Sequence, residues 1–374
     1  MPHNIRHVAS YFQMPGDYLG HKPCGNGHIN DTFEIAFSQG GNRVRYIIQR
    51  INHNVFTRPE LVMDNIIRVT THLAEKLRLA KEPELNRRVL TLIPCRDGNL
   101  WYCDDNGNNW RAYIYIERAK AHDHVDSPAL AEEAARSFGK FQKSLVDLPG
   151  TPLAETIPNF HNARCRFDAF TRAVENDAAG RANSVEREID FVLEREELVD
   201  VLLNLQRGGE IPERTTHNDT KINNVMIDEK SGEGICIMDL DTVMPGLALY
   251  DFGDLVRTTA ISTAEDETEL QKVYMRLPMY ESLLKGYLSS AGAFLNDREV
   301  EHLGFSGKLI TLTIGLRFLT DFLDGDRYFK IHRPEHNLDR FRVQARLVES
   351  IERQEDAMAA LLEKANRRRP VAMA

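Results

Sequence analysis

The residues most able to do chemistry lie in HNDTKINN, residues 217–224, which is followed by VMID, a polar turn EKSGEG and then ICIMDLD. Asp219, Lys221 and Asn224 share one loop, and Asp239 closes the second of two short apolar runs. A polar turn between such runs predicts an antiparallel hairpin, 225–227 against 235–238. If that turn centres between Ser231 and Gly232, Asn224 faces Asp239 across the ladder. An amide and a carboxylate at the open end of a hairpin are hard oxygen donors. They favour Mg2+, which keeps several waters and is completed by substrate phosphates. Asp219 can accept the proton of a nucleophilic hydroxyl, and Lys221 can neutralise charge on a transferring phosphoryl group. Asp and Asn are also ordinary turn and cap residues. Turn preference alone does not order His, Asp, Lys, Asn and Asp around a hairpin, so the set points to phosphoryl transfer onto a hydroxyl.

The elements that must position this set fall into two textures. Residues 32–37 and 43–48, joined by SQGGN, read as a β-hairpin, and 59–81 reads as a helix with Leu61, Val62, Ile66, Val69 and Leu73 on its apolar face. Two more strands are predicted at 88–94 and 109–116. After Ser127, an N-cap followed by Pro128, nearly everything is helical: 128–146, 185–207, 269–289, 307–323 and 338 onward. The expected architecture is α+β and two-lobed: 1–116 as a small antiparallel-sheet N-lobe, 117–374 as a large, mainly helical C-lobe carrying the catalytic hairpin. A shared site belongs in the crevice between such lobes. CGNGHIN, at 24–30, lies before a strand where backbone N–H groups can approach phosphate, so Gly25, Asn26, Gly27 and His28 form the candidate phosphate loop.

Composition sets outer bounds. The 374 residues are 42% hydrophobic and 28% charged, an ordinary globular make-up. With 47 Lys plus Arg against 56 Asp plus Glu, the formal charge is −9, which gives no basic field for nucleic acid or an anionic membrane. Five scattered cysteines form no CxxC pair, so reduced thiols are expected. The start shows no signal peptide and no apolar run reaches membrane-span length, so the expected location is the cytoplasm. AHDHVD, at 121–126, reads as a solvated loop rather than a metal site. Neither GxSxG nor an activated cysteine is present.

Set beside the kinase template, Asp219 takes the place of the catalytic-loop Asp, Asn224 that of the loop metal ligand, and Asp239 that of the Asp holding the phosphate-bridging metal. DFGD, at 251–254, has the letters of the kinase metal motif but no preceding strand. It is expected instead to open a helix, where its carboxylates satisfy backbone donors and brace the catalytic loop.

HNDTKINN, IMDLDTVMPG and LYDFGD together resemble the aminoglycoside phosphotransferase and choline kinase superfamily, a protein-kinase-like fold. With GNGHIN, STAEDE, GLRFLTDFLDGDRYF and PEHNL, the likeness narrows to its bacterial N-acetylhexosamine 1-kinase branch. That resemblance implies transfer of the ATP γ-phosphate, with Mg2+, to the anomeric hydroxyl of N-acetylglucosamine or N-acetylgalactosamine. It implies Asp219 as base, Asn224 and Asp239 as Mg2+ ligands, residues 25–28 over the phosphates, the connector at Glu117 beside the adenine, and Arg317, Tyr328 and His28 as sugar contacts. Taken alone, Arg317 reads as an ion-pair partner of Asp321, four residues on. The kinase lysine of the second strand is missing: YIIQRIN offers Gln49, as the sugar 1-kinase branch does, or Arg50, and strand alternation lets only one face the cleft. Alternatives are a kinase for another hexose, choline, an amino alcohol or an aminoglycoside, or a non-catalytic pseudokinase. Oligomeric state is left open.

Overall fold

A computed structural model describes residues 3–25 and 29–370. The chain divides into two compact units. One holds the chain up to Lys120 together with Leu148–Ile157 and Met226–Val243; the other holds Ala121–Asp147, Pro158–Val225 and the chain from Met244 on.

The first unit is built on a five-stranded antiparallel sheet of β1 (Asp17–Pro23), β2 (Asp31–Gln39), β3 (Asn42–Ile51), β4 (Tyr102–Cys103) and β5 (Asn109–Ile114), in the order β1-β2-β3-β5-β4. The β2–β3 hairpin closes on Gly40 and Gly41, with Gln39 opposite Asn42. Both glycines have positive φ, 57° and 84°, which a two-residue hairpin loop requires to match strand twist. Alternating residues bury one face, where Ile35, Ile48, Trp110 and Ala112 pack with Phe12 of the N-terminal segment. The helix Pro59–Leu79 buries Val62, Met63, Ile66 and Val69.

Two sequence expectations change here. Residues 88–94 do not form a full strand: Leu85–Arg88 is a helical turn, and only a short bridge follows, with Ile93 N–H donating to Ala112 O (2.8 Å) and Ile114 N–H to Thr91 O (3.0 Å). Pro94 has no N–H with which to extend it. The hairpin of Val225–Asp228 and Gly234–Ile237 is also tighter than expected. Asp228 N–H donates to Glu233 O (2.8 Å) and Gly232 N–H to Asp228 O (2.9 Å), so Asp228 pairs with Glu233 and not with Ile235, and the ladder that sets Asn224 directly opposite Asp239 does not form. Gly232, at φ +74°, takes the left-handed position of the bulged turn and absorbs the difference.

The second unit is mainly helical. Its centre is Leu303–Leu323, buried on nearly every side, packed against the helices Ala163–Asn176, Ala248–Thr259 and His336–Glu352. Pro128–Ser144 starts as expected, with Ser127 Oγ accepting from Leu130 N–H (3.3 Å), and packs along Leu277–Ala291. The expected helix 185–207 is broken into Glu186–Leu193, a 3-10 turn Glu196–Asp200 and Val201–Arg207. At the break Arg195 forks onto Glu352 (3.0 and 2.9 Å), and Asp200 and Glu196 turn to Arg164. The expected helix 269–289 instead begins at Leu277, because Pro278 is tolerated only in a first turn. Ala163–Asn176, capped by Asn162 (Oδ1 from Cys165 N–H, 3.0 Å), has no counterpart in the sequence reading. No described helix is long and apolar enough to cross a membrane.

Candidate active site

The loop 217–224 leaves a short strand, Arg214–Thr216, that pairs antiparallel with Met244–Gly246. Its backbone is then held donor by donor from the helix Ala248–Thr259. Asp251, fully buried, accepts from His217 N–H (Oδ2, 2.9 Å) and Asn218 N–H (Oδ1, 2.7 Å), and Gln142 Nε2 donates to the same Oδ2 (2.6 Å). Asp254 Oδ2 accepts from Thr220 N–H (2.8 Å) while its Oδ1 pairs with Arg257 (2.8 Å), which reaches Glu265 (2.7 Å). Thr220 Oγ1 donates to Asp251 O (2.7 Å). The bracing expected of DFGD is therefore what these hydrogen bonds do, although the donors they satisfy belong to the loop rather than to their own helix.

That bracing fixes an unusual backbone. Asn218 has φ +65°, a left-handed conformation sparsely populated outside glycine. Its carbonyl is bonded by His161 Nε2 (2.9 Å), and its Oδ1 accepts from Thr216 Oγ1 (3.0 Å). A Cβ at Gly246 would stand 2.4 Å from Thr216 Oγ1 and 3.2 Å from Asn218 Oδ1, so glycine is what lets the two strands close on this turn. His217 is buried edge-on to Phe138 and Phe141, with ring centroids 5.2 and 5.7 Å away.

Asp219 is left partly open at the end of this brace. Lys221 Nζ lies 3.0 Å from Oδ1, and Asn224 Nδ2 donates to Asp219 O (2.8 Å) and Oδ2 (3.2 Å). Burial works against ionising Asp219, but the Lys221 ammonium and His217 outweigh it and hold the carboxyl below its ordinary range. The same pairing raises Lys221. Asp219 is thus an anion near neutral pH, able to orient a hydroxyl. With its nitrogen engaged on Asp219, the Asn224 amide has its oxygen for other partners, a hard donor of the kind Mg2+ takes.

Of the two readings of Arg317, the ion pair that spacing alone suggests does not form. Asp321 does not pair with it: the Asp321 carboxylate accepts from the backbone N–H of Arg327 (2.8 Å), Tyr328 (2.7 Å) and Phe329 (2.9 Å), and from Asn337 Nδ2 (2.8 Å). Asp321 shapes the loop that carries Tyr328. Arg317 instead stands among the rings of Phe160 (4.8 Å), Phe329 (5.3 Å) and Tyr328 (5.5 Å), and donates to Tyr328 Oη (3.3 Å). Arg166, whose Nε donates to Phe160 O (3.2 Å), is pushed down to about 10 by burial and by Arg317. Among the described residues neither arginine has a carboxylate within ion-pair distance. Arg166, His161 and Gln142 escaped sequence reasoning, since each acts through a partner remote in the chain.

The other sequence-predicted residues belong to the first unit. Gly25 is exposed at φ +80°, and Asn26, Gly27 and His28 lie outside the described residues. Glu117 is bound at both ends: its carboxylate takes Arg45 (Nε to Oε1, 2.9 Å) and its carbonyl takes Arg87 Nε (2.9 Å). Gln49 Oε1 accepts from Arg111 Nε and Nη2 (2.9 and 2.5 Å), and Gln49 Nε2 donates to Thr32 Oγ1 (3.0 Å). Arg50 turns to Asp31 (2.6 Å) and Asn108 (3.3 Å). Asp239 is exposed at φ +54°, at the head of the turn Leu240–Thr242, an oxygen donor suited to a hard cation.

An antiparallel sheet, a mainly helical remainder and a braced Asp–Lys–Asn loop define a kinase-like phosphotransferase. The sequence model of the phosphotransferase enzyme family, APH, matches residues 20–284, and the chain belongs to that family, whose members phosphorylate hydroxyl groups of small molecules. Solved structures share the fold. Choline kinase from Cryptosporidium parvum Iowa II is 13% identical with a TM-score of 0.57, covering 96% of this chain and 98% of its own. An aminoglycoside phosphotransferase from Alicyclobacillus acidocaldarius is 12% identical with a TM-score of 0.56, covering 98% of each chain. A spectinomycin phosphotransferase solved with ADP and spectinomycin is 12% identical with a TM-score of 0.51, covering 96% of each.

Proposed function

We propose that this phosphotransferase moves the γ-phosphoryl group of ATP to the anomeric hydroxyl of an N-acetylhexosamine, giving the sugar 1-phosphate. The observation that carries the acceptor class is Arg317. Three aromatic rings gather around it, an arrangement that would otherwise suit a quaternary ammonium, but the guanidinium already occupies their centre. With Arg166 beside it, a choline-like or polycationic acceptor meets like charge. An uncharged, hydroxyl-rich acceptor gains planar donors and ring faces instead. The sequence resemblance to sugar 1-kinases narrows that acceptor to N-acetylhexosamine, and ADP in the spectinomycin phosphotransferase structure favours ATP as donor.

In this assignment Asp219 accepts the hydrogen bond of the attacking hydroxyl and aligns its lone pair. Lys221 stays protonated beside it and screens charge gathering on the transferring group. Asn224 and Asp239 are the protein's oxygen ligands for Mg2+, which when bound supplies charge neutralisation across the ATP phosphates. Residues 25–28 are assigned to the phosphates, the connector at Glu117 to the adenine, and Arg317, Tyr328 and His28 to the sugar. The division into a nucleotide-binding part, 1–116, and a catalytic and acceptor part, 117–374, belongs to the same proposal.

Phosphorus NMR of reactions with ATP, Mg2+ and a panel of hexosamines, hexoses, choline, ethanolamine and aminoglycosides tests it. The expected product is a sugar 1-phosphate from N-acetylhexosamines, lost in Asp219→Asn. Preferential phosphorylation of choline or an aminoglycoside overturns the acceptor assignment, and ADP binding with no transfer to any acceptor overturns the catalytic one.

A further inference from the structure

The strand lysine that kinases use to hold nucleotide phosphates has no equivalent on β3, and neither Gln49 nor Arg50 presents a charge in its place. Arg50 is neutralised by Asp31. The cation of this region sits one strand over. Thr32, Gln49 and Arg111 are directly paired across β2, β3 and β5, so they form one row on one face of the sheet. Hydrogen bonds run along that row, Thr32 Oγ1 to Gln49 to Arg111. Arg111 is only 1% exposed, and at that burial a guanidinium requires a counter-charge. Asp241, equally buried, supplies it with Oδ1 2.5 Å from Arg111 Nη1. Asn30 Nδ2 donates to Asp241 Oδ2 (2.7 Å) and Thr156 Oγ1 to Asp241 O (2.7 Å), so side chain and backbone of Asp241 are both tied down.

Asp241 lies two residues beyond Asp239, within the turn Leu240–Thr242 that Asp239 heads in a left-handed conformation. Fixing Asp241 fixes the turn. Fixing the turn fixes the backbone that carries the exposed Asp239, while the neighbouring acid, Asp241, is neutralised by Arg111.

We infer that Arg111 is a positioning residue that, through Asp241, holds Asp239 in place as a ligand for a divalent cation bound with nucleotide. The inference rests on the assignment of Asp239 as a metal ligand. It carries a corollary: with Arg111 paired to Asp241, that strand cation is not offered to phosphate, and nucleotide affinity depends steeply on the metal.

The test is direct binding of Mn2+ with ADP, read by electron paramagnetic resonance of the metal and by calorimetry of ADP with and without Mn2+. The informative variant is Arg111→Met with Asp241→Leu, because replacing both partners of a buried pair by apolar groups is tolerated where removing one is not. The expected result is a folded protein whose affinity for Mn2+ with ADP falls by about tenfold or more while metal-free ADP binding is unchanged, as for loss of a residue that orients a ligand. Wild-type affinity in that folded variant, with weak binding in Asp239→Ala, overturns the role of Arg111 and leaves the ligand assignment standing. Wild-type affinity in Asp239→Ala overturns the ligand assignment and the inference with it. If the double variant does not fold, Asp241→Asn, which keeps the size and an oxygen for Asn30 but removes the charge that Arg111 holds, takes its place; a weakened metal complex supports the inference, and an unchanged one overturns it.

Discussion

Asp251→Asn perturbs the catalytic loop without touching any group assigned to substrate. The native carboxylate receives three donors on two oxygens: His217 N–H and Gln142 Nε2 on Oδ2, and Asn218 N–H on Oδ1. An asparagine has one acceptor oxygen. In its better orientation that oxygen keeps the two donors at the Oδ2 position, and the new NH2 group then points at the Asn218 N–H, donor against donor. The lost charge-assisted hydrogen bond is worth about 1.5–3 kcal/mol, and the buried donor left unsatisfied costs roughly another 1–3. The expected loss is about 2.5–6 kcal/mol, concentrated on the one peptide that holds Asn218 at φ +65°. Released, that peptide relaxes toward a commoner conformation and carries Asp219 with it. A displacement near 1 Å at a reacting group lowers turnover by about 10²-fold. Thermal unfolding by calorimetry and steady-state kinetics on one preparation give the readout: a lower Tm, kcat down by about 100-fold, and ADP affinity within about threefold of wild type. Asp251→Asn with kcat within threefold of wild type at an equally lowered Tm would refute the chain of reasoning, because the stability cost would then be real and its transmission to Asp219 absent.

Two further outcomes follow from the same loop. Lys221→Met removes the nearest charge holding Asp219 ionised, so the Asp219 pKa rises and the acidic limb of the kcat pH profile moves to higher pH; a limb that stays in place excludes Asp219 as the group titrating there. His161 is 4% exposed and burial lowers it to about 4, so the unfolded chain binds its proton between the ordinary histidine value near 6.5 and that point while the folded chain does not. Its contribution is therefore full above pH ~6.5 and is lost as pH falls toward 4, by at most about 3 kcal/mol. His161→Gln retains a donor for Asn218 O and flattens the dependence of Tm on pH across that window; an unchanged slope assigns the acid sensitivity elsewhere.

Much of the proposed site could be put forward from sequence because its residues lie within one short segment. Asp219, Lys221 and Asn224 stand within six residues, close enough for loop geometry to bring them together, and the bracing role of DFGD followed from carboxylates near a helix start. What escaped has a common cause. Gln142 reaches Asp251, His161 reaches Asn218, and Arg111 reaches Asp241 across long stretches of chain, and no local pattern marks such partners. The bare spacing reading of Arg317 fails for the same reason in reverse: i, i+4 spacing made Asp321 available, but three backbone N–H groups of the following loop and Asn337 Nδ2 occupy its carboxylate.

A strand-rich beginning, a helical remainder and an Asp–Lys–Asn loop were legible in the chain alone, because periodicity and short-range spacing are local properties. The folded protein sets the partner of each charged group: backbone donors for Asp251 and Asp254, Asp241 for Arg111, aromatic rings for Arg317. Burial makes every unpaired charge or donor costly, and the partner that relieves that cost is set by packing rather than by distance along the chain.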